Sequence, residues 1–404
     1  MSVGGFLLAL VAIFVAAKLF GEIAERLGQP AVLGEIIGGI VVGVSGLGLV
    51  DARDHTIHLL SELGVILLLF VIGLSTDLKK LMSVGDSATA VAVVGVALPF
   101  AGGAALGHLL GFPTMVAVLL GASLTATSVG ITARVLSDLG HLQDDESQVV
   151  LGAAVVDDVI GLVLLTIIST LAAGGALNTP AILRIVGVAF GFVIVAIVLG
   201  SYLAPRLLRL VERIDLARGL FFASMVFAFL LAYIAQRVGS AVIIGSFAAG
   251  LVLARTNKAK EIEKEIHDIA QFFIPIFFVV IGAALDLRTL NPFDPGARRF
   301  LLIGLGLTAV GIVGKVAAGF IVTRKDLRKI VIGVGMMPRG EVGLIFAQVG
   351  LSTKLLSDGL YSAVALMVML TTLLTPPLLR RLLIAKTPSG PLDEVDLVFD
   401  APSD

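Results

Sequence analysis

The sequence predicts an all-α polytopic membrane protein with about thirteen transmembrane helices. Three observations predict it: 57% of the 404 residues are hydrophobic, only 15% are charged, and the mean hydropathy is +1.06. Soluble domains carry roughly 25% charged residues, and an apolar run of about 20 residues is long enough to cross a bilayer. Such runs recur from Val3 to Ile384, so a large soluble domain is excluded.

The charge and the cysteine content exclude several classes of function. The formal net charge is -1 and the chain has no dense basic block, which argues against a nucleic-acid partner. The chain has no cysteine, which excludes disulfides, thiolate metal sites and cysteine nucleophiles. The first apolar run has no basic residue before it and no small-residue cleavage site after it, so we expect a retained helix rather than a signal peptide.

Turn-forming and charged residues divide the apolar sequence into predicted spans joined by short loops. After the last span, residues 387–404 contain five acidic residues among proline and glycine, which predicts a disordered cytoplasmic tail. The predicted spans are 3–20, 30–49, 59–76, 84–110, 114–136, 148–173, 181–208, 218–236, 239–254, 266–285, 299–322, 328–350 and 359–384.

The basic residues predict the orientation of these spans. Of the 29 Lys and Arg residues, 19 fall in alternate connections starting after span 1, 7 fall on the opposite side and 3 lie inside spans. Basic residues accumulate in cytoplasmic loops. We therefore expect the N-terminus outside the cell and the C-terminus in the cytoplasm.

An internal repeat relates the two halves of the chain. The second copy of the repeat lies seven spans after the first. Because seven is an odd number, the two copies must have opposite orientations in the membrane. Spans 2–6 and 9–13 are therefore predicted to be inverted repeats, an architecture typical of secondary transporters. Three pairs of segments align at offsets of 209 to 213 residues: 69–78 with 278–287, Gly34 and Gly39 with Gly245 and Gly250, and 128–130 with 341–343.

Two adjacent acidic residues, Asp157 and Asp158, lie about ten residues into their span and therefore near mid-membrane. Charged groups at this depth cost at least ~2.5–3.5 kcal/mol each, so those that persist usually face a cavity or a partner. Adjacent helical side chains point about 100° apart. One carboxylate can face a water-filled cavity while the other meets a counter-charge, and spacing leaves open which does which. A permanently paired structural acid is the alternative interpretation.

Lys315 lies midway through the span 299–322, where Gly311, Gly314 and Gly319 allow close approach of another helix. A lysine at this depth requires a carboxylate partner. A permanent structural ion pair is the alternative to a group that carries a proton.

The spans 114–136 and 328–350 are predicted to be discontinuous. The first is dense in hydroxyl groups, and the second contains Pro338, which cannot donate a helical hydrogen bond. Unwound backbone at this depth must line a cavity or be buried, and its oxygens suit an alkali cation. The alternative interpretations are helix–helix contacts for the hydroxyls and helix-dipole compensation for the charges. The candidate residues here are Thr127, Ser128, Arg339 and Glu341.

Glu35 also lies within a predicted span. Its equivalent in the second repeat is Ser246, so we expect a structural or interface role rather than a part in ion binding.

These motifs closely resemble those of the monovalent cation:proton antiporter-2 family, and within it the NapA-type bacterial sodium/proton antiporters. The resemblance extends over nearly the whole chain. The segments that carry it are 29–35, 126–136, 155–162, 314–316 and 333–345.

The resemblance implies an NhaA/NapA-like fold within residues 1–386, in which the two discontinuous helices cross beside the ion site. It implies a dimerisation part at about 1–82 and 217–290, a linker helix at about 180–210, and a core part at about 84–173 and 299–385.

The resemblance also implies roles for the charged residues. Asp158 would be the principal ion-binding carboxylate, and Asp157 would pair with Lys315 when sodium is absent. Sodium and protons would compete for the two carboxylates while the core part moves in an elevator-like, alternating-access motion. Because the family's electroneutral members carry Asn at the position of Asp157, we expect electrogenic exchange of two protons per sodium. Asp157 or Lys315 would then carry the second proton.

The expected function is secondary active sodium or lithium/proton antiport, without enzymatic activity or a resident cofactor. The expected setting is the bacterial inner membrane, with the chain as a homodimer. The nearest alternative is a potassium/proton antiporter or potassium efflux system. An intramembrane aspartyl protease is a remote alternative. Its two acids should lie on separate helices and share one proton, whereas Asp157 and Asp158 are neighbours on one predicted helix. The cost of buried charges argues against a purely structural scaffold.

Overall fold

The computed structural model describes residues 2–172, 179–214, 218–286 and 295–384, and the regular structure in these ranges is all helical. The helices are α1 (Val3–Arg26), α2 (Ala31–Val42), α3 (His55–Leu74), α4 (Leu78–Ser83), α5 (Gly85–Leu109), α6 (Thr114–Ser123), α7 (Val129–Asp138), α8 (Asp145–Ala172), α9 (Thr179–Ile214), α10 (Gly219–Arg237), α11 (Val242–Ala254), α12 (Ala259–Ala283), α13 (Pro295–Gly319), α14 (Lys329–Gly335), α15 (Glu341–Ser352) and α16 (Asp358–Ile384). The predicted tail, 387–404, lies outside the described residues.

Helix occurs in every predicted span, and eight helices of the described chain are long and apolar enough to cross a membrane. The segments 114–136 and 328–350 each contain two helices with a break between them, as their hydroxyl groups and proline predict. Shorter apolar helices, among them α2, α6 and α11, account for several of the other spans.

Several helix boundaries differ from the prediction, for example the end of α1 at Arg26 rather than at 20, and two of the differences have a clear physical reason. Helix α2 stops at Val42 rather than at 49, because the chain turns back and the N–H groups of Leu49 and Val50 both donate to the Val42 carbonyl. Helix α12 begins at Ala259 rather than at 266. Its charged first turns bury Ile262 and Ile266 completely, so the helical register continues from the surface into the apolar segment.

The internal repeat is visible in how the helices pack. A Cβ atom built on Gly39 of α2 would lie 2.9 Å from the Gly282 Cα of α12, and one built on Gly73 of α3 would lie 3.0 Å from the Gly250 Cα of α11. Gly39 is the repeat equivalent of Gly250, and Gly73 of Gly282. The two contacts are therefore equivalent under the repeat, and each joins the first half of the chain to the second.

Helix packing falls into two groups. The first bundle comprises α1–α3 and α9–α12, joined by the pairs α1·α2, α3·α11, α3·α12 and α10·α11. The second bundle comprises α5–α8 and α13–α16, joined by α5·α6, α5·α8, α5·α13 and α13·α16. The bundles meet where α7 packs on α2 and α3, where α16 packs on α2, and where α8 packs on α9.

We predict that Gly73→Val disrupts the first bundle. The new Cβ would meet the Phe247 carbonyl and lie 3.0 Å from the Gly250 Cα, where two backbones leave no room. Overpacking costs about 1–3 kcal/mol, so the unfolding temperature of the purified protein in detergent should fall by several degrees. Gly191→Val on α9 is the matched control, since nothing lies within 4 Å of a Cβ there. Equal shifts in the two variants would contradict the assignment.

Candidate ion-binding site

The two adjacent aspartates lie halfway along α8 and point to different surroundings. The Asp157 side chain is completely buried inside the second bundle, whereas Asp158 is 6% exposed and lines a cavity. The divergence follows from the rotation of about 100° per residue in a helix. Two neighbouring carboxylates thus occupy different positions, one packed among other helices and one at the wall of a cavity.

Asp157 is paired with Lys315 of α13. The Lys315 Nζ atom donates to Asp157 Oδ2 at 3.0 Å, and both side chains are 0% exposed. The lysine stem passes beside α5, where a Cβ on Gly95 would lie 3.4 Å from the Lys315 Cδ and Nζ atoms. Asp157 Oδ1 is also buried, with no hydrogen-bond partner among the described residues. The second carboxylate oxygen is therefore able to accept another donor.

A small, partly open cavity beside Asp158 lies between the two bundles. One wall comes from the second bundle and carries the polar groups: Asp158 on α8, the break and first turn of α7 at 126–130, and Gly340 and Val342 at the start of α15. The other wall is apolar and comes from the first bundle: Val65, Ile243 and Phe277. The cavity thus brings one carboxylate, two hydroxyl-bearing residues and helix-end backbone into a mostly apolar lining, and oxygen atoms of these kinds are ligands for hard cations.

The two helix breaks are held together by hydrogen bonds that cross between them. The Ser128 N–H donates to the Pro338 carbonyl at 2.8 Å, and the Thr127 hydroxyl donates to the Met336 carbonyl at 3.2 Å. One turn further along α7, the Thr132 hydroxyl donates to the Gly335 carbonyl at 2.6 Å. These bonds satisfy carbonyls that lost their helical donors where α14 ends.

Arg339 lies at the centre of this crossing and is completely buried. Its guanidinium donates to the carbonyls of Thr125 and Ala126 at 3.0 and 3.1 Å, and to the Gly311 carbonyl of α13 at 3.5 Å. Helix C-terminal ends carry partial negative charge, and α6 and α14 both end at this point. The buried cation therefore compensates exposed carbonyls.

The structure brings most of the predicted residues together around one point. Asp158, Thr127 and Ser128 line the cavity, and Asp157, Lys315 and Arg339 form the buried charges behind it. Glu341 is the first residue of α15, and its side chain lies outside the part of the chain that the structure describes.

Glu35 lies away from this cavity, buried on α2 of the first bundle with an exposure of 5%. It interacts electrostatically with Arg134 of α7, which also pairs with Asp138 at 2.8 Å. Glu35 thus belongs to the boundary between the two bundles.

Sequence reasoning missed two hydroxyl groups that bind backbone carbonyls at the end of α14 and in the break after it, those of Thr132 and Thr372. Thr372 is on α16 and donates to the Arg339 carbonyl at 2.8 Å. The available signal was the cluster of threonines at 371, 372 and 375 just before two prolines in an otherwise apolar span.

Comparison with known proteins places this arrangement in a family. The model of the family described as "Sodium/hydrogen exchanger, transmembrane" matches residues 8–385. The chain belongs to the sodium/hydrogen exchanger family. Members are multi-pass membrane transporters rather than enzymes, so the aspartyl protease alternative is excluded.

Individual relatives of this sodium/hydrogen exchanger cover nearly its whole length. It is 43% identical to the high-affinity Na+/H+ antiporter NhaS3 of Synechocystis sp., with 93% of this chain and 89% of that protein covered. It is 37% identical to the Na+/H+-K+ antiporter GerN of Bacillus cereus, with 93% and 95% covered. The fold is similar to that of the sodium proton antiporter MjNhaP1 from Methanocaldococcus jannaschii. The TM-score is 0.72 at 18% identity, with 96% of this chain and 100% of that chain covered.

We predict that the Asp157–Lys315 pair stabilises the exchanger only when both partners are present. Removing one partner leaves an uncompensated buried charge, which costs about 3–5 kcal/mol. Asp157→Asn and Lys315→Gln should each lower the unfolding temperature in detergent, and the double variant should regain most of the loss. Additive losses in the double variant would show that the two residues do not act as a pair.

Proposed function

We propose that this chain is an electrogenic sodium (or lithium)/proton antiporter that exchanges two protons for one cation. The observation that carries the proposal is the pair of chemically different aspartates on α8. Asp158 lines a cavity together with Thr127 and Ser128, and Asp157 is buried against Lys315. The names of the relatives NhaS3 and GerN, both Na+/H+ antiporters, support the choice of sodium and protons.

Competition at Asp158 accounts for the exchange. The carboxylate carries one negative charge, which either a proton or a monovalent cation neutralises. Thr127, Ser128 and the backbone of the two breaks supply the neutral oxygen atoms around it. Because the two occupants exclude each other, inward proton movement drives outward cation movement.

The second proton belongs to the buried pair. A cation at Asp158 adds positive charge next to Asp157. The Asp157 carboxylate then depends less on Lys315 as its counter-charge. Loss of a proton from Lys315, or from an Asp157 protonated in the other half of the cycle, completes the 2:1 exchange. With one pH unit and 100 mV, two protons per sodium provide ~5 kcal/mol, whereas 1:1 exchange provides ~1.4 kcal/mol.

Polar contacts join the two bundles at one end, and alternating access would require these contacts to break. At the end of the bundles that the basic residues place in the cytoplasm, the Gln143 amide donates to the Ser75 carbonyl, and Glu35 of α2 interacts with Arg134 of α7. The Arg380 guanidinium also lies against Gly28, where a Cβ would be 2.8 Å from its Nη2 atom. We propose that this arrangement has a closed cytoplasmic path. The inward-open state would then require the second bundle, as the moving core, to break these contacts.

The first bundle would form the stationary dimerisation part, with α9 as the linker. Helix α1 presents a row of exposed apolar side chains at four-residue spacing, namely Val3, Leu7, Val11, Val15, Leu19 and Ile23. We propose a homodimer of thirteen-span protomers in the bacterial inner membrane, with the N-termini outside and the C-termini in the cytoplasm.

Potassium is the second candidate substrate, because GerN is named as an antiporter that also handles K+. The same carboxylate and oxygen atoms could serve the larger ion. Ion competition with sodium, lithium and potassium separates the two candidates.

We predict that Asp158→Asn abolishes sodium-driven proton movement in proteoliposomes. The neutral amide cannot exchange a proton for a cation, so the signal should fall to the level of empty liposomes. Asp358→Asn is the matched control, since Asp358 is an exposed residue in the first turn of α16 and should retain the wild-type rate. Full activity of Asp158→Asn would remove this carboxylate from the mechanism. If proton movement in the wild type responds to potassium and not to sodium, potassium rather than sodium is the substrate.

A further inference from the structure

The unwound stretch 336–340 between α14 and α15 contains backbone carbonyls without helical donors. Pro338 has no N–H group, and the next helix starts only at Glu341. An unsatisfied carbonyl at this depth costs several kcal/mol. Each such carbonyl must therefore find a donor on a neighbouring element, and the donors fix the path of the chain.

Donors reach this stretch from two directions. From the first break and α7, Thr132, Thr127 and the Ser128 N–H donate to the carbonyls of residues 335, 336 and 338. From α16, the Thr372 hydroxyl donates to the Arg339 carbonyl at 2.8 Å, and the Thr372 side chain is 1% exposed. Thr372 thus fixes the last part of the stretch from a separate helix.

The threonines that neighbour Thr372 on α16 behave differently. The Thr371 hydroxyl donates to the carbonyls of Met367 and Val368, and the Thr375 hydroxyl donates to the carbonyl of Thr371. These are bonds within α16, which buried hydroxyls make when no other acceptor is near. All three threonines are equally buried, so burial alone does not explain the bond that Thr372 makes to Arg339.

The residue that Thr372 holds is connected directly to the cavity wall. Arg339 clamps the carbonyls of Thr125 and Ala126 in the first break through its guanidinium. The next residue, Gly340, lines the cavity, and a Cβ on it would lie 3.0 Å from the Ser128 Oγ atom. A change in the Arg339 carbonyl position therefore moves the backbone that faces Ser128 and Asp158.

We propose that Thr372 is a positioning residue that sets the cation affinity and the sodium-to-potassium preference of the cavity. It touches no transported ion and acts through the Arg339 carbonyl, which keeps Gly340 and Ser128 in place. Cation sites distinguish ions by cavity size and by the number and arrangement of ligand oxygens, so a small backbone displacement is sufficient. The inference depends on the proposed cation/proton exchange at Asp158.

The test compares Thr372→Val with Thr375→Val in proteoliposomes of the full chain. Each variant removes one buried hydroxyl of similar size from α16, but only the first removes a bond to the break. We expect Thr372→Val to raise the apparent KM for sodium roughly three- to tenfold, the range of one hydrogen bond, and to change the ratio of the sodium and potassium KM values. Thr375→Val should stay within twofold of wild type in both. Thr372→Ser, which keeps the hydroxyl, should restore the wild-type ratio.

Equal KM values in Thr372→Val and Thr375→Val would overturn the proposal, as would a lowered maximum rate with an unchanged KM ratio. If Thr372→Val does not yield folded protein, Thr372→Ala and Thr375→Ala replace the pair, because they add no volume. Absence of cation-driven proton movement in the wild type would instead contradict the proposed function itself.

Discussion

The ion pair between Asp157 and Lys315 is the constraint on which the rest of the second bundle depends. Both side chains are completely buried at mid-membrane, where each charge alone would cost several kcal/mol. The pair forms where α13 and α8 both pack on α5, with Gly314 against Pro99 and Gly95 beside the lysine stem. The close helix contacts at these glycines allow the two charges to meet. The ion pair in turn links α8 to α13.

This constraint gives Asp158 its special position. Asp157 is paired with Lys315, and its neighbour Asp158 is turned by one residue toward the cavity. The two broken helices place hydroxyl groups and backbone beside Asp158, where intact helices would place hydrocarbon side chains. Their exposed carbonyls are satisfied in turn by Arg339, Thr132 and Thr372. Most of the buried polar groups around the site thus have partners within the protein, and Asp158 is the carboxylate that lines the cavity.

Features that depend on local sequence could be predicted. Charges in apolar runs identified Asp157, Asp158 and Lys315, and Pro338 indicated one of the helix breaks. The repeat, found as three aligned segments, appears in the structure as equivalent glycine contacts.

Features that depend on distant pairing could not be predicted from residue patterns. Residue spacing left open which aspartate pairs with Lys315, because the helical rotation between neighbours predicts only that the two side chains diverge. Asp157 and Lys315 are separated by 158 residues in the sequence. The bonds of Thr132 and Thr372 cross 203 and 33 residues, and a threonine inside a helix has the same sequence signature whichever carbonyl it binds. The early end of α2 was missed because hydropathy continues through the turn that follows Val42.

The central claim is that a cation at Asp158 and a proton on the buried pair make the exchange electrogenic. The most direct test is the null point of exchange in proteoliposomes, measured with opposed sodium and pH gradients and a clamped membrane potential. At zero potential, 2:1 exchange predicts that a pH difference of about one unit balances a sodium gradient of about 100-fold, and 100 mV should shift the balancing sodium gradient about 50-fold. A null point at about two pH units that does not move with potential would contradict the account, even if the exchange of sodium for protons is real.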